Sequence, residues 1–217
     1  MRKTSYAATF VAVLVLLVIN ISSAYLPDWL VAKYEILNTR VTVRYGLMER
    51  CQRSVVTIPG PSKGGHLEYT DYECRPFPLS VQDKCDDGNR LFCAVWTSAH
   101  YFTELGIGFA GMALVALLIG VSTHSRRRRV WRAVAGLVIL HAVFQLVTFI
   151  LITELYRKER FPAFEHAKPG VGYVLNAVSW ISGFVVGIGV IVTGMAADRG
   201  HRWAAGNRAY QPIRGRP

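Results

Sequence analysis

The stretch Val171–Ala197, VGYVLNAVSWISGFVVGIGVIVTGMAA, runs for 27 residues without a single Asp, Glu, Lys or Arg. A helix needs about 18 or more uncharged, mostly apolar residues to cross the hydrocarbon core of a bilayer. Three other stretches match it: Tyr6–Tyr25, Leu105–Thr123 and Ala133–Thr153, with 20, 19 and 21 residues free of charge. All 39 charges of the 217-residue chain therefore fall outside these runs, at a density of about 30% that is ordinary for soluble surface. A water-soluble fold cannot bury four such runs, so a disordered chain, a soluble enzyme and a nucleic-acid binder are all disfavoured. The expected organisation is one membrane domain, 1–217, built on an all-α transmembrane four-helix bundle. Helices are expected at about 6–25, 99–123, 133–153 and 171–197. A long outer loop fills 27–98, a short one 154–170, and a tail 198–217.

The sequence pI of about 9.8 has to be read by side of the membrane. Arg2 and Lys3, the link Arg126, Arg127, Arg128, Arg129 and Arg132, and the tail arginines 199, 202, 208, 214 and 216 make twelve basic residues, opposed only by Asp198. Pro27–Ser98 holds nine basic and nine acidic residues, and Glu154–Gly170 four and three. Excess Lys and Arg mark the cytoplasmic side, which puts both termini and the middle link in the cytosol. The start of the chain also fits a second pattern. Arg2-Lys3, an apolar run, and Ser22-Ser23-Ala24 resemble a secretory signal with a small-residue cleavage site. The twenty-residue span is long for such a signal, and the expectation is a retained first helix.

All four cysteines, Cys51, Cys74, Cys85 and Cys93, lie in Pro27–Ser98, where none is expected in a helix. An even count confined to an outer loop reads as two disulfides in an oxidising compartment, with three possible pairings. No C-x-x-C pair exists, so zinc is disfavoured and no cofactor is expected. The loop itself is strand-like. Val41–Tyr45 alternates with period two, and Ser54–Ile58 and Leu67–Cys74 are rich in Val, Thr, Tyr and Ile. A turn cluster, Pro59–Gly65, separates the last two, and Asp86–Asn89 is a second turn. The expectation is a small antiparallel sheet that needs disulfides and the helices to hold it.

Trp29, then Gly46-Leu47-Met48, Cys51 and Cys74, is similar to the W…GLW…C…C signature of claudins, with Met48 where that family has its second tryptophan. The order of elements resembles the wider claudin and peripheral-myelin-protein superfamily, and Leu91–Trp96 around Cys93 resembles fungal claudin-like membrane proteins. The resemblance implies a disulfide-stapled extracellular sheet with Cys51 joined to Cys74. That leaves Cys85 with Cys93, around a turn at Asp87-Gly88. It also implies that Trp29, Gly46 and Leu47 anchor the sheet to the helix ends. The role implied is non-enzymatic: lateral organisation, support or adhesion at the plasma membrane, with membrane-protein partners or further copies of itself.

Polar residues inside the spans supply the rival function. Glu104, about one turn into the expected second helix, and His141 with Gln145, which share a face of the third at i and i+4, would line a path in a channel, transporter or accessory subunit. Helix–helix hydrogen bonding is the expected role for His141, Gln145, Asn20 and Asn176. Gly183, Gly187 and Gly194, like Gly106, Gly108 and Gly111, are expected to let helices approach closely. The outer acids, Asp83 among them, read as solvated surface, with a calcium site across Asp83–Asn89 as a weaker alternative. No nucleophile is paired with a base, so no catalysis is expected. Arg126–Arg129 and Arg132 face lipid, either as a topogenic signal or as a clamp on anionic inner-leaflet lipid.

Overall fold

The computed structural model describes residues 3–36, 39–59, 66–79, 81–86, 88–121, 124–158, 161, 164 and 167–205. Helix α1 (Lys3–Tyr25) is followed by strands β1 (Leu30–Ile36), β2 (Thr39–Tyr45), β3 (Glu49–Pro59) and β4 (His66–Pro76), then by helices α2 (Arg90–Val121) and α3 (His124–Arg157), strand β5 (Ala167–Pro169) and helix α4 (Val171–Asp198). A short α5 (Arg202–Ala205) follows. All four long helices have the length and hydropathy to cross a membrane, so the chain is a membrane protein.

The helices bury one narrow stripe each. In α2 the buried positions include 92, 96, 99, 103, 106, 110, 113, 117 and 120, and in α3 they include 131, 134, 138, 141, 145, 148, 152 and 155. Steps of three and four alternate, a 3.5-residue repeat that favours left-handed helix crossings. The middle of the stripes carries small or polar residues, as at Ala99, Thr103, Ala113, Gln145 and Thr148, with larger groups such as Trp96, Leu117, Trp131 and Ile152 toward the ends, whereas Val15, Val115, Leu118, Val185 and Ile188 are exposed. Small and polar groups buried between helices whose exposed faces are large and apolar are how helices pack in lipid.

The sheet has the order β4-β3-β2-β1-β5 with antiparallel pairing throughout. Val41, Val43 and Tyr45 of β2 point inward while Arg40 and Arg44 point out, the alternation of a sheet with one covered face. From Tyr69 to Cys74, β4 is exposed at every residue, while the β3 residues opposite it run from buried Cys51 to half-buried Val56.

The chain divides into two compact units. The first comprises 1–18, 106–143 and 179–217, and its core gathers Tyr6, Val13, Leu117, Trp131, Val138 and Val190. The second comprises 19–105 and 144–178 and holds the whole sheet; its core gathers Trp29, Tyr45, Leu47, Phe77, Trp96 and Phe164 among others.

Several boundaries differ from the sequence expectation. The second helix starts at Arg90, not near 99, so Cys93 lies in its first turn. Phe92, Trp96 and Ala99 already follow the helical stripe, and an uncharged window misses them because Arg90 and Glu104 bracket them. Likewise α3 begins at His124, making Arg126–Arg129 helical instead of a link; arginine is a good helix former. Two strands were not expected, β1 and β5, and β5 comes from the second outer loop. Three residues ending in proline carry no readable alternation, and pairing with β1 is what makes them a strand. The turn cluster at 60–65 and Asp87 fall outside the described residues.

Candidate functional site

Trp29 is the joint of the second unit. Its indole is fully buried, and its Nε1–H donates to the Ser23 carbonyl at 2.7 Å, in the last turns of α1. Its backbone N–H donates to the Tyr45 carbonyl at 3.0 Å, and its own carbonyl accepts from the Gly170 N–H at 2.9 Å. One residue thereby ties the end of α1 to β2 and to the start of α4. Ser23 Oγ closes the ring by donating to the Gly172 carbonyl at 2.8 Å. Gly172 has to be glycine here, because a Cβ would stand 2.6 Å from Trp29 Cδ1.

Gly46 and Leu47 sit beside this joint. Gly46 N–H donates to the Glu49 carbonyl at 2.8 Å in the tight β2–β3 turn, and a Cβ would come within 2.7 Å of Pro27 Cα. Leu47 is buried and Met48 is exposed. Below the sheet, Tyr45, Phe77, Phe92, Trp96, Phe161 and Phe164 form a continuous aromatic cluster, with Phe92 and Phe161 stacked at 4.4 Å. Burial in it pushes the Tyr45 phenol up to about 12, against the opposing pull of Arg50, whose guanidinium carbon lies 5.4 Å from the ring centroid.

The disulfides join Cys51 to Cys74 and Cys85 to Cys93. Cys51 and Cys74 are directly opposed in the β3–β4 register, with Cα atoms 4.1 Å apart. The second bridge fastens the segment after β4 to the first turn of α2. Asp83, read from the sequence as solvated, is instead buried. It accepts two bonds from the Arg75 guanidinium, at 2.8 and 2.6 Å, and one from the Leu79 N–H at 2.7 Å. Burial works to raise its carboxyl, but these bonds, with the positive charges of Arg75 and Arg50, outweigh it and hold the group below the ordinary carboxylate range. That commitment leaves Asp83 unsuited to the calcium site. Among the described residues, the trio spaced as metal ligands is Glu49, Cys51 and Cys74, and the disulfide consumes both of its sulfurs.

The polar groups of the spans fall into separate sets. Glu104 lies fourteen residues into α2 and is half exposed, with one carboxylate oxygen 3.2 Å from His100 Nε2. His141, in the other unit, is buried, with Nδ1 3.0 Å from the Gly106 carbonyl and Nε2 3.4 Å from Ser179 Oγ. Gln145 Nε2 donates to the Thr103 carbonyl at 3.2 Å, and Gln145 Oε1 accepts from Asn176 Nδ2 at 2.6 Å. Thr148 Oγ1 donates across to the Ala99 carbonyl at 3.1 Å. Asn20 departs from expectation: it is fully buried, yet neither amide atom has a protein partner.

Gly183 and Gly187 pack against Ala142 and Ile139 of α3, and Gly194 against the Trp131 indole. Gly108 and Gly111 face open space, contrary to expectation. The side chains of Arg126, Arg127, Arg128 and Arg129 lie outside the described residues. Arg132 is exposed, 3.5 Å from the Asp198 carboxylate, with its guanidinium carbon 5.5 Å from the Trp131 ring centroid.

No protein-family model matches the chain, and no curated protein matches it. Sequence reading overlooked Ser23, Thr103, Thr148, Ser179 and Gly172. The signal that finds them is the 3.5-residue recurrence of small and polar residues, which an average hydropathy window erases.

Proposed function

We propose that this is a non-enzymatic, claudin-like integral membrane protein of the plasma membrane, with cytosolic termini, that organises or supports the membrane laterally or mediates adhesion. The observation that carries the reading is the Trp29 joint. It locks the outer sheet to the ends of α1 and α4 through four hydrogen bonds, giving the rigid outer platform such a role needs. Trp29 in the joint, and Gly46 and Leu47 in its neighbouring turn, are among the residues on which the claudin resemblance rests. The β3–β4 hairpin presents Tyr69 and Tyr72 to the outside, and exposed tyrosines suit contact with another protein.

Transport is the rival, and Glu104 is its best residue. The pairing of Glu104 with His100, and of His141 with Gly106 and Ser179, gives each group a local partner and favours the structural role. Imaging a tagged copy in its own cells tests the proposal. Enrichment in patches or at cell contacts, lost on Tyr69→Ser/Tyr72→Ser while surface delivery persists, is the expected result. A flux or current abolished by Glu104→Gln, with normal surface delivery, would favour transport instead.

A further inference from the structure

Helix α1 arrives at, and α4 leaves from, the joint where Ser23 Oγ meets the Gly172 carbonyl at 2.8 Å. Asn20 precedes Ser23 by three residues, and Asn176 follows Gly172 by four. At 1.5 Å per residue these positions lie about 4.5 and about 6 Å from the joint along their helices. The two asparagines therefore come to nearly the same level, and both are 0% exposed. Asn176 Nδ2 is committed to Gln145. Asn176 Oδ1, Asn20 Oδ1 and Asn20 Nδ2 have no protein partner.

We propose that this enclosed point is a binding site for one structural water, held between Asn20 of α1 and Asn176 of α4. The unpartnered set contains two acceptors and one donor. Water offers both functions and typically makes about three hydrogen bonds in such a place. A monovalent cation would satisfy the oxygens but face the Asn20 N–H donor, and an apolar group would leave all three atoms unmet in a medium where that is costly. The water completes a run of hydrogen bonds from Asn20 through Asn176 and Gln145 to the Thr103 carbonyl, which joins α1, α4, α3 and α2. None of these groups titrates near neutral pH, so the run is a lock on helix register and not a proton relay. The site goes beyond the proposed function and stands without it.

The test uses the full-length protein in lipid nanodiscs. Ile19–Asn20 is the one Ile-Asn pair in the sequence, so carbonyl-labelled Ile with uniformly ¹³C,¹⁵N-labelled Asn picks out the Asn20 backbone amide and links it through its own carbons to its side-chain amide, which is then followed in water-edited solid-state NMR. Polarisation transfer from a slowly exchanging water to the Asn20 amide is expected, and its absence overturns the proposal. This readout needs no variant. A double-mutant cycle with Asn20→Leu and Asn176→Leu is the second arm. Coupling of about three- to tenfold in the unfolding equilibrium is expected between groups that share a partner, and strictly additive effects overturn the bridge. Coupling without the water signal would show direct amide pairing and equally overturn it.

Discussion

At Gly172 a single hydrogen faces an indole that cannot retreat, because Trp29 is buried and its Nε1–H is held by Ser23. Gly172→Ala forces a methyl to within 2.6 Å of the ring and should lower stability by about 1–3 kcal/mol, the usual range for overpacking. The thermal unfolding midpoint of the purified protein in detergent measures it. Trp29→Phe keeps most of the ring but strands the Ser23 carbonyl, and a loss of about 1–3 kcal/mol is expected for an unsatisfied buried acceptor. An unchanged midpoint in both variants would mean that the joint bears no stress. Asp83 is expected to contribute to the acid limb of stability. Its folded carboxyl lies below the ordinary value of 3.8, so its contribution is complete above that value and is lost as pH falls through the folded value. The wild type should lose stability below about pH 4 more steeply than Asp83→Asn, and parallel pH profiles would remove Asp83 from this role.

Elements in this chain were legible to the extent that their own residues specify them. The four spans announce themselves by length and hydropathy, and Val41–Tyr45 by its alternation. The ends of α2 and α3 did not, because an uncharged window stops at the first charge whereas a backbone helix continues through Arg90 and Arg126–Arg129. The strand β5 was invisible for a different reason: its existence depends wholly on pairing with β1. The two disulfides should differ in weight, since they close sequence separations of 23 and 8 residues. The chain-entropy relation gives about 3.4 and about 2.5 kcal/mol respectively. Cys51→Ala/Cys74→Ala should therefore melt lower than Cys85→Ala/Cys93→Ala when both are compared without reductant. The reverse order would mean that native contacts around Asp83 and α2, and not loop closure, set the cost of losing the shorter bridge.

For the whole molecule, orientation is the property written in charge. Twelve basic residues against one acid in the terminal and middle segments predict that the cytosol holds all three. Thr4→Cys, in a chain whose described cysteines are all bridged, should react with a membrane-impermeant maleimide only after permeabilisation; labelling of intact cells would invert the assignment. Changing Arg126–Arg129 to Gln should leave that orientation intact if Arg2, Lys3, Arg132 and the tail suffice. Equal enrichment of anionic lipid around the wild type and this variant in mixed bilayers would leave the run a topogenic role alone. The sequence by itself determined that four helices are long and apolar enough to cross a membrane and that the long loop between the first two carries a disulfide-bearing sheet. Hydropathy, charge bias and cysteine count are additive along the chain, and need no partner to be read. Only the tertiary structure decided that Trp29 is the joint, that Asp83 is buried against Arg75, that β5 is a strand, and that Asn20 lacks a protein partner. Each of those facts depends on which residue from a distant segment arrives within hydrogen-bonding reach, and no local pattern encodes that arrival.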